Sequence, residues 1–357
     1  MNWNNSITQQ LFIEYPIIQA PMFGVTTPAM VAAAANTGCL GSLPLGDLPA
    51  EKSIAVIRAT KQLCKHPFAV NMFVNEIPAI TGEIKAKYAA VKAFIEHLAR
   101  QHQLQVKLPD IGELQLNNYE EKVDTIIAED CKIVSFTFGN LNEQSIQKLK
   151  SNGTVLIGTC TSVKEAILLE QSGIDILCVQ GMEAGGHRGS FATVDNIPAI
   201  GGFSLLPQVY DAVSIPIIYA GGIYNANTLL AAKTLGAQGF QIGSLLLGSA
   251  ESALKGFEKE RLQQVKETDI VLTKSFTGRY ARGIKNTLSA AIEGAGQILP
   301  YPYQNKLTSE LRKAAKANGN LDFVSIWLGQ SIHSFSKHST TEILKELIAA
   351  TETEHNN

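Results

Sequence analysis

The chain has 357 residues, of which 45% are apolar and only 17% charged, and its formal net charge is −2. A typical soluble domain carries about 25% charged residues, so much of this chain is expected to be buried, in its own core or in a homo-oligomer. The length accommodates two small domains or one barrel-sized domain with an appendage, and the near-neutral balance excludes both the basic stripe of a nucleic-acid binder and a polybasic membrane-surface segment.

Short β-branched runs alternate with helical patterns along most of the chain. Pro16–Ala20 reads as the first strand. The helix Pro28–Asn36 follows, with Pro just after Thr27 as a start signal and Gly38 as a stop. Leu40–Leu43 is the second strand, Ala50–Cys64 a helix and Phe68–Met72 the third strand. The rhythm breaks between Asn75 and Tyr119, which hold a helix, Glu83–His102, and then a polar stretch without a motif. It resumes with strand four at Ile133–Phe136, helix Asn142–Ser151 and strand five at Thr154–Ile157. Helix Ser162–Gln171, strand six at Ile174–Val179 and a glycine-rich loop over Gly181–Gly202 come next. Helix Phe203–Ala212, strand seven at Pro216–Ala220, helix Asn225–Leu235 and strand eight at Gly239–Ile242 complete the series.

Eight βα units of this length predict an α/β fold, a closed (β/α)8 TIM barrel. No GxGxxG marks a doubly wound dinucleotide fold. The barrel is expected over residues 1–253, with an insertion at 75–119. Residues after Leu254 read as mainly helical, with helices Ser252–Lys266 and Thr308–Asn318. A helical cap is expected over 254–320 and a segment packing back on the barrel over 321–357. Met1–Phe12 lacks the pattern of a secretory signal, and no apolar run reaches the length of a membrane span. The five cysteines, none in CxxC spacing, read as free thiols. A cytoplasmic protein is expected, with no membrane and no nucleic-acid partner.

A barrel carries its chemistry at the C-terminal ends of its strands. Here those ends supply Gln19–Met22, Asn71, Ser135, Thr137 and Gln180, followed by Gly181–Gly189, Ala220–Ile223 and Gln241–Ser244. Glycines after strands seven and eight suit a phosphate cup of backbone N–H groups, to which Ser244 adds a hydroxyl; they also suit plain tight turns. His187 stands among glycines in an active-face loop, where its near-neutral pKa suits proton transfer or anion binding. The amides of Asn71 and Gln180 offer both donors and acceptors to a heterocycle edge, or satisfy the core. Glu183 reads as a base, a turn closure or a partner for Arg188. His66, His97, His102, His333, His338 and His355 are expected to be structural or solvated. No metal-ligand spacing and no GxSxG, Walker A or similar nucleophile motif is present.

Together these segments resemble the nitronate monooxygenase (2-nitropropane dioxygenase-like) family. The resemblance rests on Gln19–Gly24 (QAPMFG), Asn71 in AVNMF, Val134–Gly139 (VSFTFG), Gln180–Gly189 (QGMEAGGHRG), Ala220–Ile223 (AGGI) and Gln241–Ser244 (QIGS). Gly278–Gly283 (GRYARG) and Trp327–Gln330 (WLGQ, where the family pattern has WAGQ) extend it along nearly the whole chain. The arginine after the histidine, VSFTFG and GRYARG are similar to the bacterial class I type. The resemblance implies a flavoprotein oxidoreductase that binds FMN non-covalently and uses O2 to oxidise alkyl nitronates of the propionate 3-nitronate type to a carbonyl compound and nitrite. It implies FMN contacts at Pro21, Met22, Asn71, Gln180, Gly185, Gly222, Gln241, Gly243 and Ser244, and an active-site histidine at His187. It points to Tyr301, Tyr303 and Lys306 for the substrate carboxylate. Two alternatives stay open at this point. One is an NAD(P)H-dependent FMN reductase of quinones or of enoyl thioesters, like enoyl-ACP reductase II. The other is a non-oxidising phosphate-binding barrel, although no strand end offers a Schiff-base lysine.

Overall fold

A computed structural model describes residues 1–193, 195–332 and 335–356. The chain opens with helix α1 (Ser6–Leu11), whose N-terminus is closed by the Asn5 side chain accepting from the N–H groups of Ile7 and Thr8. The strands follow as β1 (Ile17–Gln19), β2 (Gly41–Gly46), β3 (Phe68–Phe73), β4 (Ile133–Thr137), β5 (Val155–Cys160), β6 (Ile176–Gln180), the two-residue β7 (Gly186–His187), β8 (Ile217–Ala220) and β9 (Gly239–Ile242). All but β7 join one parallel sheet of eight strands, in the order β1-β9-β8-β6-β5-β4-β3-β2. A parallel bridge between Ile18 and Leu40 brings its two ends together. The expected (β/α)8 TIM barrel is therefore present.

Inward-facing Ile18, Leu40, Ala69, Ile133, Ile157 and Ile218 form one cluster with Ile7 and Leu11, so α1 packs against the apolar barrel interior. The outward strand faces pack on α2 (Pro28–Ala35), α3 (Ala50–Leu63), α5 (Tyr119–Ala128), α6 (Glu143–Ser151), α7 (Val163–Gln171), α8 (Gly202–Ala212) and α9 (Ala226–Thr234). Several of these helices start where a polar side chain satisfies a first-turn N–H: Thr27 for Met30, Asn142 for Ser145, Ser162 for Glu165 and Asn225 for Thr228.

Between β3 and α5 the chain forms α4 (Gly82–Gln101) and a 3-10 turn at Ile111–Glu113. Beyond the barrel come α10 (Gly256–Gln263), β10 (Ile270–Thr273), β11 (Ala281–Ile284), α11 (Thr287–Ala295), α12 (Tyr303–Ala317) and α13 (Thr340–Asn356). A second apolar core joins Val91 and Ile95 of α4 to Leu288, Ile292, Leu307 and Leu311 of the later helices. Helix α13 packs against α9 and α2. The Trp3 indole N–H donates to Glu352 at 2.9 Å, tying the N-terminal segment to α13.

The segment after Leu254 differs from its mainly helical expectation, because β10 and β11 pair antiparallel and β11 pairs in turn with β7. The apolar run Ile270–Leu272 is too short for its period to separate strand from helix. The helix expected at Ser252–Lys266 is shorter, and α1, α5 and α11 add helices that short local patterns left unassigned. Among the described residues no helix is long and apolar enough to cross a membrane. His102 sits edge-on to Phe323 and His338 lies 3.4 Å from Glu346, while His333 lies outside the described residues.

Candidate active site

The C-terminal ends of the barrel strands open into a cavity of about 990 Å³. Its walls include Pro21, Met22, Asn71, Gln180, Gly185 and His187, and also Gly222, Gln241, Gly243, Ser244, Tyr301 and Lys306. Tyr303 is the expected site residue that does not line it. That tyrosine is buried, with its hydroxyl donating to the Pro78 carbonyl.

At one end, β8 and β9 deliver two glycine turns. Gly222 is left-handed, at φ 72°. A Cβ on Gly243 would sit in ordinary contact with Ala20 Cβ at 3.5 Å and Met22 Sδ at 3.8 Å. Ser244 Oγ accepts from Gly329 N–H at 2.8 Å, and Ser331 Oγ donates to the Gly222 carbonyl at 3.0 Å. Residues 327–331 therefore complete this wall. They approach so closely that a Cβ on Gly185 would lie 2.4 Å from the Leu328 carbonyl carbon. This end offers hydroxyls and backbone groups of glycine turns, the chemistry that suits a phosphate.

On the barrel floor, Asn71 Nδ2 donates to Ser135 Oγ at 2.9 Å. Gln180 is committed to its own loop. Its Nε2 donates to the His187 carbonyl and its Oε1 accepts from Gly189 N–H, both at 2.9 Å. Arg188 is buried and clamps the same loop, donating to the Gly181 and Gln180 carbonyls at 2.6 and 3.0 Å. Glu183 closes a turn, accepting from Gly202 N–H at 2.8 Å. These bonds, with the β7–β11 pairing, fix where His187 stands.

The His187 ring is bracketed by Phe138 and Trp327, at centroid distances of 5.3 and 5.5 Å. Its Nε2 lies 2.9 Å from Thr277 Oγ1. The same hydroxyl lies 3.2 Å from the Arg279 carbonyl oxygen. The Thr277 hydroxyl can accept from Nε2 or donate to it, so the contact fixes the ring's orientation and is compatible with a proton on either ring nitrogen. Burial, then the Arg279 and Arg312 cations, push the His187 pKa down to about 3, against a weaker opposing pull from Asp47. The imidazole is neutral at physiological pH, so the positive field of the site comes from arginines.

Arg312, from α12, lines the cavity. Its guanidinium donates to Asn305 Oδ1 at 2.7 Å, the Asn305 carbonyl at 3.1 Å and Thr308 Oγ1 at 3.2 Å. Burial lowers its pKa to about 10, leaving it charged. Asp47 acts on it through space but is bound by Lys306 at 2.7 Å. The buried Tyr301 hydroxyl has no hydrogen-bond partner among the described residues. Phe138, at the end of β4, is left-handed at φ 80°, a conformation that costs a side-chain-bearing residue about 1–2 kcal/mol.

Phe138, Arg312 and the wall from 327 to 331 were not singled out by the sequence reading, although Phe138 and Trp327–Gln330 lie in its quoted motifs. The insertion contributes Lys107, Leu108, Glu113, Leu114, Gln115 and Asn117 to the cavity. No local pattern marks those residues, because their role depends on how α4 folds back.

A family model described as nitronate monooxygenase matches residues 4–350 of the chain. The probable nitronate monooxygenase of Staphylococcus aureus (strain Newman) is 40% identical over 349 residues, covering 97% of each protein. Among solved structures, nitroalkane oxidase from Streptomyces ansochromogenes superimposes with a TM-score of 0.88 at 29% identity, covering 99% of both chains. FabK from Thermotoga maritima shares the fold, with a TM-score of 0.76 at 24% identity over 99% of this chain and 97% of that one.

Proposed function

The chain belongs to the nitronate monooxygenase family of oxidoreductases, and we propose that it binds FMN and uses O2 to oxidise alkyl nitronates of the propionate 3-nitronate type to a carbonyl compound and nitrite. The residues present fit the cofactor. The glycine turns at Gly222 and Gly243, with Ser244, would take the phosphate. Pro21, Met22, Asn71, Gly185 and Gln241 would border the ring, with Asn71 offering its Oδ1 as an acceptor. Gln180 contributes by holding the His187 loop. When bound, FMN supplies the two-electron chemistry and the reaction with O2 that side chains cannot perform.

The choice of substrate is supported by the surroundings of His187, which is buried beside the Arg279 and Arg312 cations so that its pKa is lowered. An imidazole with a pKa near 3 is a poor base for a neutral nitroalkane. A nitronate arrives already deprotonated and needs none. The neutral His187 then orients the substrate: with the Thr277 hydroxyl donating to Nε2, the ring would carry its proton on Nδ1 and offer it to the nitronate. The anion is favoured by the guanidinium field of Arg279 and Arg312. A second anionic group on the substrate falls to Arg312 and the unpartnered Tyr301 hydroxyl. Lys306 and Tyr303 are less suited, since one is paired with Asp47 and the other with the Pro78 carbonyl. The walls from α12 and the insertion exclude water.

The test is nitrite release from propionate 3-nitronate in air by the FMN-loaded protein, beside an anaerobic mix with NADH. Nitrite without bleaching by NADH supports the proposal. Rapid bleaching without nitrite supports a reductase of quinones or enoyl thioesters instead.

A further inference from the structure

Phe138 has a backbone that its sequence position does not call for. The other left-handed non-glycine residues, Phe12, Gln103 and Asp130, follow helix ends, where that conformation is an ordinary exit. Phe138 instead follows a strand. The chain cannot relax past it easily, because Gly139 is pressed against the neighbouring β3 exit: a Cβ there would lie 1.9 Å from the Val74 carbonyl oxygen. Strain of this kind persists where the surroundings over-determine it, and it clusters at functional sites.

The ring is the hub of the site. Its centroid lies 4.5 Å from that of Phe73, 5.3 Å from His187 and 5.5 Å from Tyr301. The Arg279 guanidinium carbon sits over it at 4.3 Å from the centroid. Phe138, His187 and Tyr301 line the cavity, whereas Arg279 does not. We propose that Phe138 is a positioning residue whose ring, held by the strained backbone, partitions Arg279 from the cavity, so that this cation biases His187 and an incoming anion without touching either. A guanidinium in direct contact would grip a planar nitronate with a two-pronged hydrogen bond and retain it; behind the ring it contributes field alone. The charged groups that act on His187 are Arg279 from the β10–β11 loop, Arg312 from α12 and Asp47 from the β2–α3 loop, with the Thr277 hydroxyl on its Nε2.

The test compares the FMN-loaded wild type with F138L and F138Y. Leucine keeps the backbone strain and removes the aromatic face; tyrosine keeps the face. NMR of the His187 ring reads the field directly. In F138L its pKa is expected to move by about 1 unit or more because Arg279 is no longer held behind an aromatic face, and in F138Y to stay within about 0.5 unit of wild type. Turnover of propionate 3-nitronate should fall about 10-fold or more in F138L, as for misplaced catalytic geometry, with recovery in F138Y. A folded F138L whose His187 titrates as in wild type, or an F138Y that behaves like F138L, overturns the proposal. If F138L does not fold, R279M with Phe138 intact must raise the His187 pKa, and no rise overturns it. The kinetic arm rests on the nitronate-oxidation reading and the NMR arm does not. A shift without wild-type turnover refutes that reading and leaves the positioning role standing; turnover without a shift does the reverse.

Discussion

Arg312→Met isolates the charge that would select the substrate's second anionic group. The Arg312 guanidinium is held by neutral oxygens at 2.7 to 3.2 Å. Asp47, the acid acting on it through space, is engaged by Lys306. An anion reaching Arg312 would therefore gain a charge-assisted hydrogen bond in a desolvated wall, worth about 1.5–3 kcal/mol. At about 1.4 kcal/mol per tenfold, its loss should raise KM for propionate 3-nitronate about 10- to 150-fold. The nitronate of nitroethane has no second anion and would feel Arg312 only through space, so its KM should rise clearly less than that of propionate 3-nitronate. Methionine fills the space without a charge to desolvate, so the thermal midpoint should hold. Initial rates of nitrite release with the two substrates measure the difference. Equal rises in both KM values, or no rise in either, would refute the assignment of Arg312.

The depressed His187 pKa predicts a flat kcat/KM for the nitronate between about pH 5 and 8, and an inflection near 6.5 in the pH–rate profile would contradict it. The same depression sets a sign for stability. The unfolded imidazole takes up its proton as pH falls below 6.5 and the folded one only near 3, so stability present above pH 6.5 should be lost across that window, as urea unfolding at stepped pH would show. Gly139→Ala places a Cβ 1.9 Å from the Val74 carbonyl oxygen and should cost about 2 kcal/mol or more in urea unfolding; an unchanged midpoint would mean that the β3 and β4 exits are less tightly opposed. Ser244→Ala should weaken FMN about 2- to 13-fold in a fluorescence titration, the loss of one hydrogen bond, and unchanged affinity would remove Ser244 from the phosphate site.

The barrel was legible because short apolar strands alternate with helices, several of them capped by a side chain, as at Ile157 with Ser162 or Ile218 with Asn225. The placing of Gly222 and Gly243 at the cavity was legible for the same reason, since both follow strands. What escaped depends on long-range contact. β7 has two residues and exists only because Ala281 and Arg282 arrive opposite it. Arg312 lies within the helix expected at Thr308–Asn318, and only the fold shows that α12 turns it into the cavity. His187 was found by its glycine-rich loop. Its neutrality was not, since that follows from burial first and then from Arg279 and Arg312, which lie 92 and 125 residues further along the chain. The amide of Gln180 illustrates the opposite case: its place at the cavity was readable, whereas its commitment to the His187 carbonyl and Gly189 was not.

The central claim, an FMN enzyme that takes electrons from a nitronate, is tested most directly by flavin absorbance without oxygen. The FMN-loaded protein is mixed anaerobically with propionate 3-nitronate, and in a parallel run with NADH. Loss of the oxidised-flavin band with the nitronate, and its persistence with NADH, is the predicted result. A band that survives the nitronate and bleaches with NADH would contradict the account.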